Sequence, residues 1–223
     1  MIISFEYYVR RILMFYRVMC EEDYEVINLT DWKYYDYLRD LNGTPKRRSW
    51  KNFEVTFERA DRHYKKLYSD FPWYMSTVLI LRENVVSKMK DFFEANGELL
   101  PMHSADKQKL FAFNCFNTID ALDEEKSDLI RLEEPFGKIL LVKKLVLKNE
   151  ESIHADIFRL KNNVSGATYV SDKFIELYSK HNFVGLKFIK YTDKENTEIV
   201  FQRDGRDARG TRREGHPIAV GSL

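Results

Sequence analysis

Two stretches of this chain change hydrophobic period from that of a strand to that of a helix within a few residues. In "STVLILRENVVSKMKDFFEANG" the apolar run Val78–Leu81 has a strand's length, and a turn follows it. Val85, Met89, Phe92 and Phe93 then fall at helical spacing, and Asn96-Gly97 supplies the stop. In "ATYVSDKFIELYSKHNFVGLKFIKY" a short strand leads to Ser171, a good N-cap. Phe174, Ile175, Leu177 and Tyr178 lie on one helical face, and "VGLKFIKY" closes as a strand. Around these units the remaining signals are mostly strands. They are "FYRVM" and "YEVINL" about the turn-like "CEED", "FEVTFE" at 53–58, "KLFAFNCFN" at 109–117, "GKILLVKKLVL" at 137–147, and "DIFRL" before the turn "KNNVSG". Asn42-Gly43 marks a turn, and residues 59–73 read as a connector. Strands and helices mix without a βαβ rhythm or an internal repeat. The expected fold is α+β, a mixed or antiparallel sheet with a few packed helices in a single domain.

The chain has 223 residues, 44% of them hydrophobic, with 16 Phe, 13 Tyr and 3 Trp, so it can bury a substantial core and is not a disordered polymer. A formal charge of +1 gives no reason to expect nucleic-acid or membrane-surface binding. Cys20 and Cys115 have no metal-ligand spacing and read as free thiols in a reducing compartment. At the N-terminus, Glu6, Arg10, Arg11 and Arg17 interrupt what would be a signal peptide's apolar core. Residues 1–13 read as a buried N-terminal element or, with a start at Met14, as an extension, and 14–191 as the domain, with 14–70 and 71–191 as its conceivable subdomains. Residues 192–223 read as a tail. Within it "RDGRDARGTRRE" (203–214) holds five Arg and no Lys, whereas Arg131 and Arg159 are the only arginines from 83 to 202. That break suggests a flexible or non-native segment, with a basic arm as the alternative.

The chemistry search centres on "IDALDEEKSDL", where Asp120, Asp123, Glu124, Glu125 and Asp128 crowd together. The spacing lacks the glycine and twelfth-position glutamate of a calcium loop, and no histidine lies nearby to complete a zinc or iron set. A nuclease reading would use Glu124-Glu125-Lys126, but that chemistry wants the triplet on a strand, with a carboxylate from a second strand meeting it at the metal. The local sequence instead suggests a helix start, with Asp123 as N-cap and early glutamates at the positive end of the dipole. His63, His103, His154, His181 and His216 are scattered, and Ser104 and Lys107 match a catalytic S-x-x-K by letters alone. Lys46-Arg47-Arg48 reads as a solvated loop cluster, with nucleic-acid contact as a minor alternative. No catalytic residue, metal ligand or cofactor site emerges.

One ordered series of segments remains. Asp70 and Pro72, Leu79 to Val86, Gly97 to Pro101, Asp120 to Ser127, and "DIFRL", "TYVSDKFIEL" and "GLKF" together resemble a bacterial family of polymorphic-toxin immunity proteins, immunity protein family eleven. The resemblance spans residues 14–191. It departs at Arg82-Glu83, where the family has Ser-Glu, and has no counterpart for 192–223. It implies a non-enzymatic, cytoplasmic protein that binds and neutralises a cognate toxin domain, encoded by a neighbouring gene, with no cofactor and no direct nucleic-acid or membrane binding. It fixes no oligomeric state and carries no functional residue to this chain. The alternative is an enzyme with a cryptic site, such as a metal-dependent nuclease.

Two surfaces are the expected toxin contacts. The first is the acidic stretch Asp120, Asp123, Glu124, Glu125 and Asp128. Residues 120–134 hold seven acids against Lys126 and Arg131, enough to steer a basic partner. The second is "DWKYYDYLRD", whose Trp32, Tyr34 and Tyr35 would suit a hot spot if exposed. A solvated face and ordinary core packing are the respective plain alternatives.

Overall fold

The computed structural model describes residues 14–58, 66–75, 78–133, 139–148, 152–161, 166–191 and 196–200. The expected N-terminal extension, the 203–214 segment, most of the "KNNVSG" turn, His63, His216 and Glu134 lie outside these residues. Among the described residues there are three helices, α1 (Lys33–Arg39), α2 (Glu83–Glu94) and α3 (Asp172–Lys180). A five-stranded sheet is built from β2 (Val26–Leu29), β3 (Glu54–Glu58), β4 (Leu79–Arg82), β5 (Gly97–Ser104) and β6 (Lys109–Cys115), in the order β2-β3-β5-β6-β4. A six-stranded sheet uses β1 (Phe15–Cys20), β7 (Thr118–Ile119), β10 (Ile157–Leu160), β11 (Thr168–Ser171), β12 (Leu186–Tyr191) and β13 (Asn196–Val200), in the order β13-β12-β1-β11-β10-β7. A separate ribbon pairs β8 (Asp128–Arg131) with β9 (Ile139–Lys144). The fold is α+β; among the described strands the pairs are antiparallel except β3·β5 and β10·β7, and the isolated bridges Tyr24–Leu67 and Val26–Trp73 are also parallel.

Strand alternation divides the interior into three cores. Leu79, Leu81, Leu99 and Phe113 of the five-stranded sheet face Val18, Ile157, Val170 and Phe188 of the six-stranded sheet, with α2 and α3 contributing Val85, Met89, Phe93, Phe174 and Tyr178 to the same core. The residues of opposite parity point the other way. Ile80, Leu100, Met102, Leu110 and Ala112 pack under Leu38 of α1 and Phe53. Phe15, Phe158, Leu160 and Tyr169 pack under Ile139 and Val142 of the ribbon. Both faces of each sheet are thus covered. This explains why "LILR", "IFRL" and "TYVS" read as continuous apolar runs rather than alternating ones.

The pairing crosses the 70/71 division, because β3 bonds to β5 while β1 lies between β11 and β12. Residues 196–200, within the span expected to be a tail, pair with β12 along its length. The two strands around "CEED" do form, but β1 and β2 enter different sheets. Ser171 sits at the N-cap of α3 without a side-chain cap bond, its hydroxyl donating instead to Asp156 at 2.8 Å.

The segment read as a connector is the joint of the fold. Asp70 is buried. Its carboxylate accepts the Val184 N–H at 2.9 Å and the Asn84 amide at 2.6 Å, while its own N–H donates to the Val184 carbonyl at 3.1 Å. Beside it Gly185 has φ +105°, and a Cβ there would lie 1.9 Å from Ser69 Oγ. Arg82 is buried between the Phe57 and Tyr68 rings, at 4.4 and 4.5 Å. It donates to Glu25 at 2.6 Å, to the Ser69 carbonyl at 2.7 Å, and to Gln108.

Candidate functional site

The acidic stretch begins where β7 ends and enters the ribbon, and it is not a helix. Asp123 does what an N-cap does: its carboxylate accepts the Lys126 N–H at 3.1 Å, and the Ser127 N–H donates to its carbonyl at 3.0 Å. One turn forms, after which Asp128–Arg131 extend as β8. The expected helix start is therefore corrected to a single capped turn. Leu129, Ile130 and Leu132 supply no helical apolar stripe to carry it further, whereas Leu129 can bury against the ribbon's core. The Asp123 N–H donates to Val146, so the turn is stitched to the chain leaving β9.

The five carboxylates separate into two kinds. Asp123 pairs with Lys126 at 3.2 Å and Glu124 with Arg131 at 2.5 Å. At Asp123 desolvation works to raise the carboxyl's pKa, but the bonds from the Lys126 ammonium and N–H outweigh it and leave the pKa lowered. Asp120, Glu125 and Asp128 are exposed and have no ion-pair partner among the described residues. Exposed Ile130, Leu132 and Leu140 lie on the same ribbon.

The aromatic segment forms α1, a helix that sequence reading did not assign. Its tyrosines divide by face. Tyr34 stacks on Phe53 at 4.4 Å and Tyr37 meets the Trp50 ring edge-on, so these two belong to the core beneath. Trp32 is 75% exposed and stacks flat on Tyr35, ring centroids 4.6 Å apart. The Arg39 guanidinium lies 5.4 Å from the Tyr35 ring. Of the three aromatics expected at an interface, Trp32 and Tyr35 stand at the surface, while Tyr34 packs inward.

Groups of catalytic type are each occupied structurally. His103 Nδ1 is 2.9 Å from Asn52 and its Nε2 is 3.8 Å from Glu54, on β5 between β3 and β6. Ser104 bonds Asp106 within the β5–β6 turn, where Lys107 pairs with Glu54 at 3.3 Å. Burial pushes the Cys115 thiol up to about 11, and likewise that of Cys20, so neither is an activated nucleophile. Among the described residues no three His, Cys, Asp or Glu are placed to hold a metal, and no helix is long and apolar enough to cross a membrane.

The described residues thus combine covered sheets with charged and aromatic patches at the surface. Residues 92–193 match the family described as Immunity protein family (Imm11), and the chain carries a domain of that family over this span. Immunity proteins of polymorphic toxin systems neutralise a toxin and are typically non-catalytic. A search of the curated proteins finds no match to the chain. The matched span holds the ribbon, α3, β5, β6 and the acidic turn, while Asp70, Pro72 and the strand entering α2 precede it.

Proposed function

We propose that this chain neutralises a cognate toxin domain by binding it directly, without catalysis, in the cytoplasm. A single domain over residues 14–191 carries this function, and the toxin gene neighbours its own. The family match over 92–193 is the observation that carries this reading. The acidic turn and ribbon lie inside that span, and the exposed carboxylates Asp120, Glu125 and Asp128 beside Ile130, Leu132 and Leu140 combine a charged rim with apolar anchors, as interfaces do. They suit a basic toxin surface, approached under electrostatic steering. Asp123 and Glu124 contribute mainly by shaping the turn, because their charges are already paired.

The test is the triple reversal Asp120→Lys, Glu125→Lys and Asp128→Lys, assayed for association with the neighbouring toxin domain at low salt. The expected result is an association rate lower by roughly ten-fold or more, with the difference shrinking as salt rises. An unchanged rate and affinity at low salt would remove the acidic turn from the interface.

A further inference from the structure

A second surface is built around the loop from Asn42 to Lys51. Between residues 31 and 51 the chain places six cations against three carboxylates. Each carboxylate is neutralised locally: Asp31 by Lys33 at 2.5 Å, Asp36 by Arg39 at 3.0 Å and Asp40 by Lys46 at 2.5 Å. Arg47, Arg48 and Lys51 are exposed and have no ion-pair partner among the described residues. The loop and α1 also line an open groove of about 500 Å³, walled by Tyr37 and Trp50 together with the paired charges of Lys33, Asp36, Arg39, Asp40 and Lys46.

The loop is held from below, by one strand above all. Glu98 of β5 is buried, and its carboxylate accepts the Lys46 N–H at 2.5 Å, the Arg47 N–H at 3.3 Å and the Asn114 amide at 2.9 Å. Asn114 in turn donates to the Thr44 carbonyl at 2.8 Å and accepts the Gly43 N–H at 3.0 Å. The Trp50 indole donates to the Pro101 carbonyl at 2.8 Å, and Arg159 reaches the Leu41 carbonyl. A solvated loop needs no such foundation. Here a buried carboxylate and a buried amide fix the backbone from which Arg47 and Arg48 project, which lowers the ordering cost of binding.

From these observations we infer that the groove between α1 and the 42–51 loop is a second docking surface, taking an acidic segment of a protein partner. Arg47, Arg48 and Lys51, on the loop that forms one side of the groove, supply the unpaired charge, and Tyr37 and Trp50 in its wall supply the apolar surface. A protein segment is favoured over nucleic acid because Asp36 and Asp40 line the groove and would repel a continuous phosphate backbone. A peptide can place its carboxylates only over the unpaired cations. Identifying the partner as the toxin rests on the immunity reading; the groove's preference for acidic peptide does not.

The probe is a fluorescein-labelled Gly/Ser peptide carrying one Glu-Glu-Glu run, titrated with the full chain by anisotropy at low salt, with deca-thymidylate as competitor. Expected are binding weakened roughly ten-fold or more by Arg47→Glu/Arg48→Glu, and little affected by Lys88→Glu/Lys180→Glu on α2 and α3. Glu98→Gln tests the foundation. It leaves the surface cations in place and should weaken the peptide several-fold while the circular dichroism of the folded chain is kept. Equal loss in both charge-reversal variants, or deca-thymidylate binding more tightly than the peptide, overturns the proposal. With the toxin domain itself, neutralisation by the wild-type chain and undiminished affinity of the Arg47→Glu/Arg48→Glu variant would remove this surface from the toxin interface. Failure of the wild-type chain to neutralise, with peptide binding intact, would count against the immunity reading alone.

Discussion

Residues that look ordinary in the sequence hold the joints of this molecule. Arg82 occupies the last position of β4, where an arginine would be expected to reach solvent. It is buried instead, stacked between two rings and bonded to Glu25, Ser69 and Gln108. A buried ion pair owes its stability to being complete. Arg82→Met alone should therefore cost about 3–5 kcal/mol in urea denaturation, because Glu25 is left charged in the interior. The double variant Glu25→Leu/Arg82→Met should recover much of that loss. Additive costs for the two substitutions would show that the residues act independently. Gly185 and Asp70 could be found in the sequence as members of an ordered motif, but what they do could not. Asp70 binds the backbone of Val184, 114 positions away, and such a partner leaves no local pattern.

At the scale of elements, α2, α3 and most strands were legible because each buries a stripe with a clean period. Others were not, α1 and β13 among them, and two cases show why. β5 contains Pro101, which reads as a breaker, yet β3 reaches only His103 and Ser104 on that side. At Pro101 the strand's other edge has no strand partner, so the missing N–H interrupts no ladder there. The acidic turn showed true capping chemistry, but a cap specifies only the first turn, and the conformation beyond that turn depends on burial. Asp123→Ala should accordingly speed hydrogen exchange at Lys126 and Ser127 while leaving the amides of α2 unchanged; equal acceleration in both would mean that the turn is not a local unit. Because the Asp123 pKa is lowered on folding, its support for the turn is present above the unfolded pKa. It is lost as pH falls through the folded value, so acid should reproduce the Asp123→Ala pattern.

For the whole molecule, the two sheets share one core and each carries a further layer, α1 on one and the ribbon on the other. Burial leaves an alkaline signature. The Cys115 and Cys20 thiols are raised to about 11 from an ordinary value of 9.0, and Tyr16 and Tyr68 to about 12 from 10.0. Above pH 9 the unfolded chain loses thiol protons that the folded chain keeps, so it binds fewer protons and stability falls as pH rises. Buried Cys115 contributes a slope of at most about 1.4 kcal/mol per pH unit until its folded pKa is passed, with less from half-buried Cys20, from Tyr16 and from the more exposed Tyr68. Cys115→Ala should flatten the decline between pH 9 and 11, as measured by denaturant midpoints. An unchanged slope would mean that the buried thiol titrates normally.

The proposed binding surfaces were only partly legible. Charge and aromatic content marked both segments, but which carboxylates are already paired and which tyrosines face inward depends on partners that only the fold supplies. The central claim, that this Imm11-domain protein neutralises a toxin by direct association, is tested most directly by co-expressing the chain with the toxin domain encoded beside it. The account predicts restored growth and a stable complex of the two proteins on purification. Continued toxicity with no complex, although the chain is folded and abundant, would contradict it.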